Sequence, residues 1–376
     1  MIKRLRELDF LRGIAIILVL FRHVPVFEFT KNMGWIGVDL FFVLSGFLVS
    51  GLLFKEYIKF GNIQPKLFLI RRGFKIYPVY YLFYIPYLII AILDKRFYMV
   101  GFLADMTFTQ NYILGWGWGY PASWSLAVEE HFYFGFSFFL WIAIKNNWFN
   151  LMKDKVSKPF VFTILSIMGV IIILRLIANF TFEEPTTTGV FRLTTKKLFT
   201  LTNFRIDSLL TGVLISYFYY FKPDYIFRFF KSNSTILYII MAVGLCWTPF
   251  IEPVASIFVE TIGFTLLYIS FGILLMIFLF VDNINGKLDR FFSKKVVSMI
   301  SKIGYCSYSI YIIHTLVILV IRKCIVRYHL ANYHLGNNFL VFVVASISSI
   351  IVGMIMTQNI EKYFLKVRDK YYPNRI

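Results

Sequence analysis

Charge is scarce in this chain. Asp, Glu, Lys and Arg make up 16% of its 376 residues, against the ~25% usual in soluble domains. That shortage excludes a water-soluble globular enzyme and a disordered chain alike. Cysteine is scarcer still: Cys246, Cys306 and Cys324 lie in or beside apolar stretches with no CxxC spacing. Neither a disulfide framework nor a zinc site is indicated, and no metal is expected. Long hydrophilic segments, low-complexity tracts and internal repeats are also missing, so residues 1–376 read as one integral-membrane domain with no appended soluble unit.

Apolar surface is what the chain has: 59% of residues are hydrophobic and 20% aromatic. A bilayer-spanning helix needs ~20 mostly apolar residues. Suitable runs fall near 9–27, 34–54, 76–94, 124–144, 160–180, 205–221, 235–251, 256–282, 299–321 and 338–360. They are continuous rather than alternating, which predicts an all-α polytopic membrane protein of about ten transmembrane helices rather than a barrel. Residues 101–114 fit a short interfacial helix. Lys3, Arg4 and Arg6 before an apolar run imitate a signal peptide. Arg22 and His23 interrupt that run and no small-x-small cleavage site follows, so it reads as a retained first span.

The formal net charge of +19 would suggest nucleic acid in a soluble protein. Here the Lys and Arg sit in loops between spans, so the lipid bilayer is the expected partner and nucleic acid is not. The loops alternate in charge. The N-terminus, 55–75, 145–159, 222–234, 283–298 and the C-terminal tail hold 25 of the 39 cations, and the other five loops hold 10. The positive-inside rule then predicts that both termini are cytoplasmic.

Depth follows from ~1.5 Å of rise per residue. His23 on the first span reaches roughly 20 Å from the cytoplasmic face, and Arg175 and His314 reach about the same layer. Asp39, Glu129 and Glu130 descend into it from outside, and Asp207 sits slightly nearer the outer surface. Each would cost several kcal/mol if it faced lipid. A common polar interior is therefore expected, and that layer is the candidate site.

Individual motifs carry both functional and plain readings. Arg12 and His23 are eleven positions apart, three turns plus roughly 20°, and so share one helix face about 16 Å apart. Such a face suits a reagent that enters from one side and reacts near the other; snorkelling and a satisfied core histidine are the plain readings. In Gly37-Val-Asp39 through Ser45-Gly46, the small pair suits close helix packing, whereas Asp39 needs a partner. Arg71, Arg72 and Lys75 form a cationic cluster that suits phosphate binding or a positive-inside anchor. Glu129 and Glu130 point about 100° apart, so only one needs to face the site. One of them beside His23 would orient it; the plain reading pairs them with Arg175. Trp116, Trp118 and Trp124 suit stacking on sugar faces or an interfacial belt. Tyr311 and His314 share a face of the ninth span. Arg22 reads as interfacial, and His329 and His334 as ordinary loop residues.

In order along the chain, these segments resemble acyltransferase family 3 of the membrane O-acyltransferases. The resemblance rests on Leu8-Asp9 through Arg12-Gly13 with His23 after ten intervening residues, on Gly37-Val-Asp39 through Phe47, and on the cationic run ending Ile76-Tyr77-Pro78. Trp124-Ser125-Leu126 leading to Glu129 and Phe132-Tyr133, then Arg205-Ile-Asp207 through Gly212, and Tyr308…Tyr311…His314 complete it. The family implies transfer of an acyl group, usually acetyl, from cytoplasmic acyl-CoA as co-substrate to a hydroxyl, often on an envelope glycan. It implies a place in the cytoplasmic membrane of a bacterium. It puts His23 and Arg12 at the functional centre, Glu129 in support, and Arg71, Arg72 and Lys75 at the CoA phosphates. Asp39, Glu130, Trp116, Trp118, Trp124, Arg175, Asp207, Tyr311 and His314 are expected to support the site or receive the acceptor. Lys75 stands where the family pattern has arginine, which removes a bidentate phosphate contact there. The expected chemistry is proton removal from the acceptor by His23, or a transient acyl-histidine. A secondary transporter or flippase for an envelope-glycan precursor is the competing reading, since intramembrane charges also line transport paths. A nearer alternative is another membrane acyltransferase family with a catalytic histidine.

Overall fold

The computed structural model describes residues 5–152, 155–181, 195–253, 256–327 and 335–376. Among the described residues every regular element is helical. The first part of the chain forms α1 (Arg6–His23), α2 (Glu28–Gly34), α3 (Ile36–Phe60), α4 (Pro65–Leu93), α5 (Met99–Met106), α6 (Gln110–Ile113) and α7 (Trp124–Lys145). The middle forms α8 (Lys158–Thr181), α9 (Thr195–Thr200), α10 (Ile206–Phe221), α11 (Pro223–Cys246) and α12 (Phe264–Phe280). The last part forms α13 (Ile284–Phe292), α14 (Lys294–Tyr305), α15 (Ser307–Arg327), α16 (Leu335–Met356) and α17 (Lys362–Tyr371). His329 and His334 lie outside the described residues.

Among the described residues, seven helical segments are long and apolar enough to cross a membrane: 28–60, 65–93, 158–179, 223–246, 259–280, 307–324 and 339–371. Together with the apolar perimeter they make this a multi-pass membrane protein. The remaining predicted spans are also helices, but α1 and α7 carry several charges and α10 has only 16 residues. Each of the three contributes to the interior, together with α3. Ala15 and Ile16 of α1, Ala127 and Val128 of α7, and Leu209 and Val213 of α10 are completely buried. The perimeter instead exposes large apolar side chains, such as Ile85 and Ile89 of α4, Ile173 of α8, Ile239 of α11 and Ile351 of α16, as a lipid-facing surface should.

Several boundaries differ from the sequence reading; α11, for one, begins at Pro223, twelve residues before the predicted 235. α4 begins at Pro65 in the first turn, eleven residues before the predicted start, because nothing between Pro65 and Pro78 breaks a helix and Lys and Arg favour one. Arg71, Arg72 and Lys75 are therefore helical residues with fixed angular positions. The predicted ninth span divides at Cys306 into α14 and α15. α14 alternates Lys294, Lys295 and Lys302 with Val297, Ile300 and Ile303, an amphipathic pattern that packs on α1 rather than spanning.

Glycine permits close helix approach in the bundle. A Cβ on Gly46 of α3 would lie 2.0 Å from the Leu209 carbonyl oxygen, and one on Gly212 of α10 would lie 2.2 Å from that of Val43. The two backbones touch, as small residues allow between membrane helices. Gly46 thus has the packing role expected of it. Ser45 does not: its hydroxyl bonds the Tyr133 hydroxyl at 2.7 Å. Gly212→Val should separate α3 from α10 and cost on the order of 1–3 kcal/mol, read as a lower thermal midpoint in detergent. Gly135→Ala, where an added Cβ meets nothing within 4 Å, should leave the midpoint unchanged.

Candidate active site

Five helices enclose a cavity of about 110 Å³. α1 contributes Arg12, α3 contributes Ser45, α4 contributes Arg72 and Lys75, α7 contributes Glu129 and Tyr133, and α15 contributes Tyr308 and Tyr311. Glu129 accepts a hydrogen bond from Tyr133 at 2.7 Å. Arg72 lies over the Tyr133 ring at 5.7 Å and within electrostatic reach of Glu129 and Arg12. Among the described residues, neither Arg12 nor Arg72 makes a hydrogen bond or ion pair with a protein group. Two guanidinium groups and one lysine thus face a space holding a single carboxylate.

Helical geometry explains which residues reach that space. Glu129 faces it, while Glu130, one position on, turns away and accepts a 2.8 Å bond from Tyr77. Arg72 and Lys75 are three apart and share the cavity face. Arg71 points elsewhere, bonded to the Tyr372 carbonyl and, at 3.0 Å, to Asp369. Lys75 also meets Glu361 at 3.8 Å.

His23 does not line the cavity and has no bond to Glu129, so the expected orienting contact is not made. Its ring lies 4.7 Å, centroid to centroid, from the edge-on ring of His314. Nδ1–H of His314 donates to the Tyr311 carbonyl at 2.6 Å, which leaves Nε2 an acceptor, buried and without a partner. Tyr311 in turn bonds Ser125 at 2.6 Å and the Ala122 carbonyl at 2.9 Å, and its backbone carbonyl also accepts from Tyr120. One residue, Tyr311, thereby joins the histidine pair to the cavity wall. Outside this pair, Arg22 bonds Glu252 at 2.5 and 3.1 Å, and Arg322 bonds the His23 carbonyl at 3.1 Å.

The other predicted site residues form a separate unit. Asp39 pairs with Arg205 at 2.7 Å, and Arg175 pairs with Asp207, all four side chains being essentially buried. Aromatic rings cage the Arg205 guanidinium: Phe264 at 3.8 Å, Phe199 at 4.9 Å, Trp124 at 5.5 Å and Phe42 at 5.8 Å. Trp116 stacks on Phe199 and meets Trp124. Trp118 packs on Phe97, and its backbone N–H donates to Asp105 at 3.0 Å. Trp116 and Trp118 are half-buried and Trp124 is buried, so these rings serve packing before any ligand. The single polar layer expected from depth is thus three groups: the cavity, the histidine pair and the caged ion pairs. Equal depth does not give equal direction, because successive side chains on a helix point about 100° apart.

Sequence reasoning missed Arg205 as a partner, because it falls among outer-loop cations and no local pattern distinguishes a buried arginine from an exposed one. It also missed Asp105, which accepts from the Gly119 N–H and the Tyr84 hydroxyl at 2.7 Å each.

Comparison with known proteins now bears on this geometry. A family model described as an acyltransferase domain, that of acyltransferase family 3, matches residues 5–358. The chain belongs to that family. Over 158 residues it is 31% identical to the peptidoglycan O-acetyltransferase OatA of Listeria monocytogenes, covering 38% of this chain and 25% of that protein. Over 173 residues it is 30% identical to YrhL of Bacillus subtilis, a candidate peptidoglycan O-acetyltransferase, covering 42% and 26%. A candidate O-acetyltransferase of Staphylococcus aureus strain N315 is 33% identical over 145 residues, covering 34% and 23%. The match spans about a quarter of the length of these relatives. No solved structure matches the chain.

The caged pair carries its own prediction. Asp39→Asn strands the Arg205 guanidinium in an apolar cage and should cost about 3–5 kcal/mol, seen as loss of monodisperse protein on size exclusion in detergent. Asp39→Asn combined with Arg205→Met removes the stranded charge and should recover much of the yield. An equal loss in both variants would sink the ion-pair role.

Proposed function

We propose that the chain is a membrane O-acyltransferase that moves an acetyl or similar acyl group from acyl-CoA to a hydroxyl of a cell-envelope glycan. Family membership and the peptidoglycan O-acetyltransferases among its relatives support acyl transfer to such a glycan. The observation that carries the donor is the cavity in which Arg12 and Arg72 have no protein counter-charge. Half-buried cations without protein partners suit a ligand that supplies the anion, and the phosphates of CoA are such a ligand.

In this reading the ten predicted spans cross the cytoplasmic membrane with both termini inside. CoA phosphates meet Arg72 and Lys75, and the pantetheine arm runs past Arg12 towards His23. The unprotonated His23 imidazole accepts the proton of the acceptor hydroxyl as its oxygen attacks the thioester carbonyl. The carbon–oxygen bond forms, the carbon–sulfur bond breaks, and the departing thiolate takes the proton back from the imidazolium. His314, not Glu129, is the ring packed edge-on against His23. Glu129, held by Tyr133, balances the two guanidinium groups. No observation favours the transporter reading over this one.

The test is release of free thiol from acetyl-CoA by the purified chain, with and without envelope glycan. His23→Gln should lower the rate by on the order of 10²–10⁴ while the protein stays folded. Arg12→Ala should act mainly through a higher KM for acetyl-CoA. Near wild-type turnover by folded His23→Gln would overturn the assigned base. Glycan transport without thiol release would overturn acyl transfer itself.

A further inference from the structure

A second cavity of about 300 Å³ lies next to the first and shares Arg72 and Lys75 with it. α3 adds Leu52 and Glu56, α4 adds Leu67, Phe68 and Arg71, and the far end of the chain closes it with Arg368 of α17 and Arg375 beyond it. That segment is tied down firmly. Arg71 bonds Asp369 and the Tyr372 carbonyl, Tyr372 packs on Phe74 with ring centroids 5.7 Å apart, and Arg375 bonds Glu56 at 2.5 Å. The Arg375 guanidinium also lies 4.4 Å from the centre of the Phe60 ring.

The charges around this cavity do not cancel. Asp369 is a single carboxylate divided between Arg71 at 3.0 Å and Arg368 at 2.8 Å. Glu56 answers Arg375, Glu361 lies 3.8 Å from Lys75, and Arg72 has no carboxylate partner. Five cations therefore face three carboxylates, and Arg368 is close enough to Arg72 and Lys75 for mutual repulsion. A ligand with several phosphates would relieve that repulsion, and planar guanidinium groups suit phosphate oxygens. Both the nucleotide end of acyl-CoA and an anionic lipid headgroup offer such phosphates. The shared wall favours the nucleotide, because a thioester arm leaving this cavity enters the first one between Arg72 and Lys75.

We infer that α17 completes the donor site, with Arg368 binding the ribose phosphate of the CoA nucleotide while Arg72 and Lys75 meet its diphosphate, where the pantetheine arm begins. The inference rests on the acyl-CoA reading above and adds to it a helix that the cationic cluster of α4 does not announce.

The test compares acetyl-CoA with S-acetylpantetheine, which has the thioester arm without the nucleotide, using the full chain in zwitterionic nanodiscs. Arg368→Gln should raise KM for acetyl-CoA about tenfold, a change of ~1.4 kcal/mol, with kcat within twofold and with the kinetics of S-acetylpantetheine unchanged. Arg368→Lys should recover part of the loss. Equal losses with both donors would mean a structural role, and no change with acetyl-CoA would mean no role; either overturns the inference. An effect confined to nanodiscs containing anionic lipid would assign the site to a headgroup instead and also overturn it. A folded wild-type chain that turns over neither donor would overturn the acyl-CoA reading first, and this site with it.

Discussion

A charge taken into an apolar bundle must find its opposite, and the arrangement of this protein follows from how that demand is met. Asp39, Arg175, Arg205 and Asp207 come from α3, α8, the start of α10 and its first turn. They meet as two buried ion pairs. Desolvation makes each charge expensive alone, so the pairs fix which helix faces may touch. The aromatic cage of Phe264, Phe199 and Trp124 around Arg205 extends that constraint to α12, α9 and α7. Glycine contacts between α3 and α10 hold the same helices at backbone distance. Pairing fixes orientation and close approach fixes spacing.

The central cavity is where this demand goes unmet. Arg12 and Arg72 sit inside the bundle with no protein carboxylate bonded to them, and Glu129 is bound instead to Tyr133. Fully paired charges in one place and unpaired cations in another divide the interior into scaffold and site. The histidine pair lies at the edge of the site, joined to it through Tyr311.

Much of this was legible in the sequence. Helical class and most of the membrane segments follow from apolar runs, and the ordered motifs hold Arg12, Arg72, Glu129 and Tyr311, which line one cavity. The 100° step of a helix also anticipated that only one of Glu129 and Glu130 would face the site. Pairing was not legible. Asp39 looked like a member of the site, yet its partner Arg205 lies 166 positions away and reads locally as a loop cation. Trp124 looked like a platform for a sugar and is buried against that arginine. Each assignment depends on a contact between distant segments, which no local pattern encodes.

The sequence by itself determined that the chain is helical and that it belongs in a membrane, because hydrophobic run length is a local quantity. Only the tertiary structure decided which ionisable residues meet. It sorted one expected layer into a cavity, a histidine pair and a caged ion-pair scaffold, and it brought α17 against α4. The reason is angular: depth is set by position along a helix, whereas partnership is set by rotation about it and by which neighbour packs there.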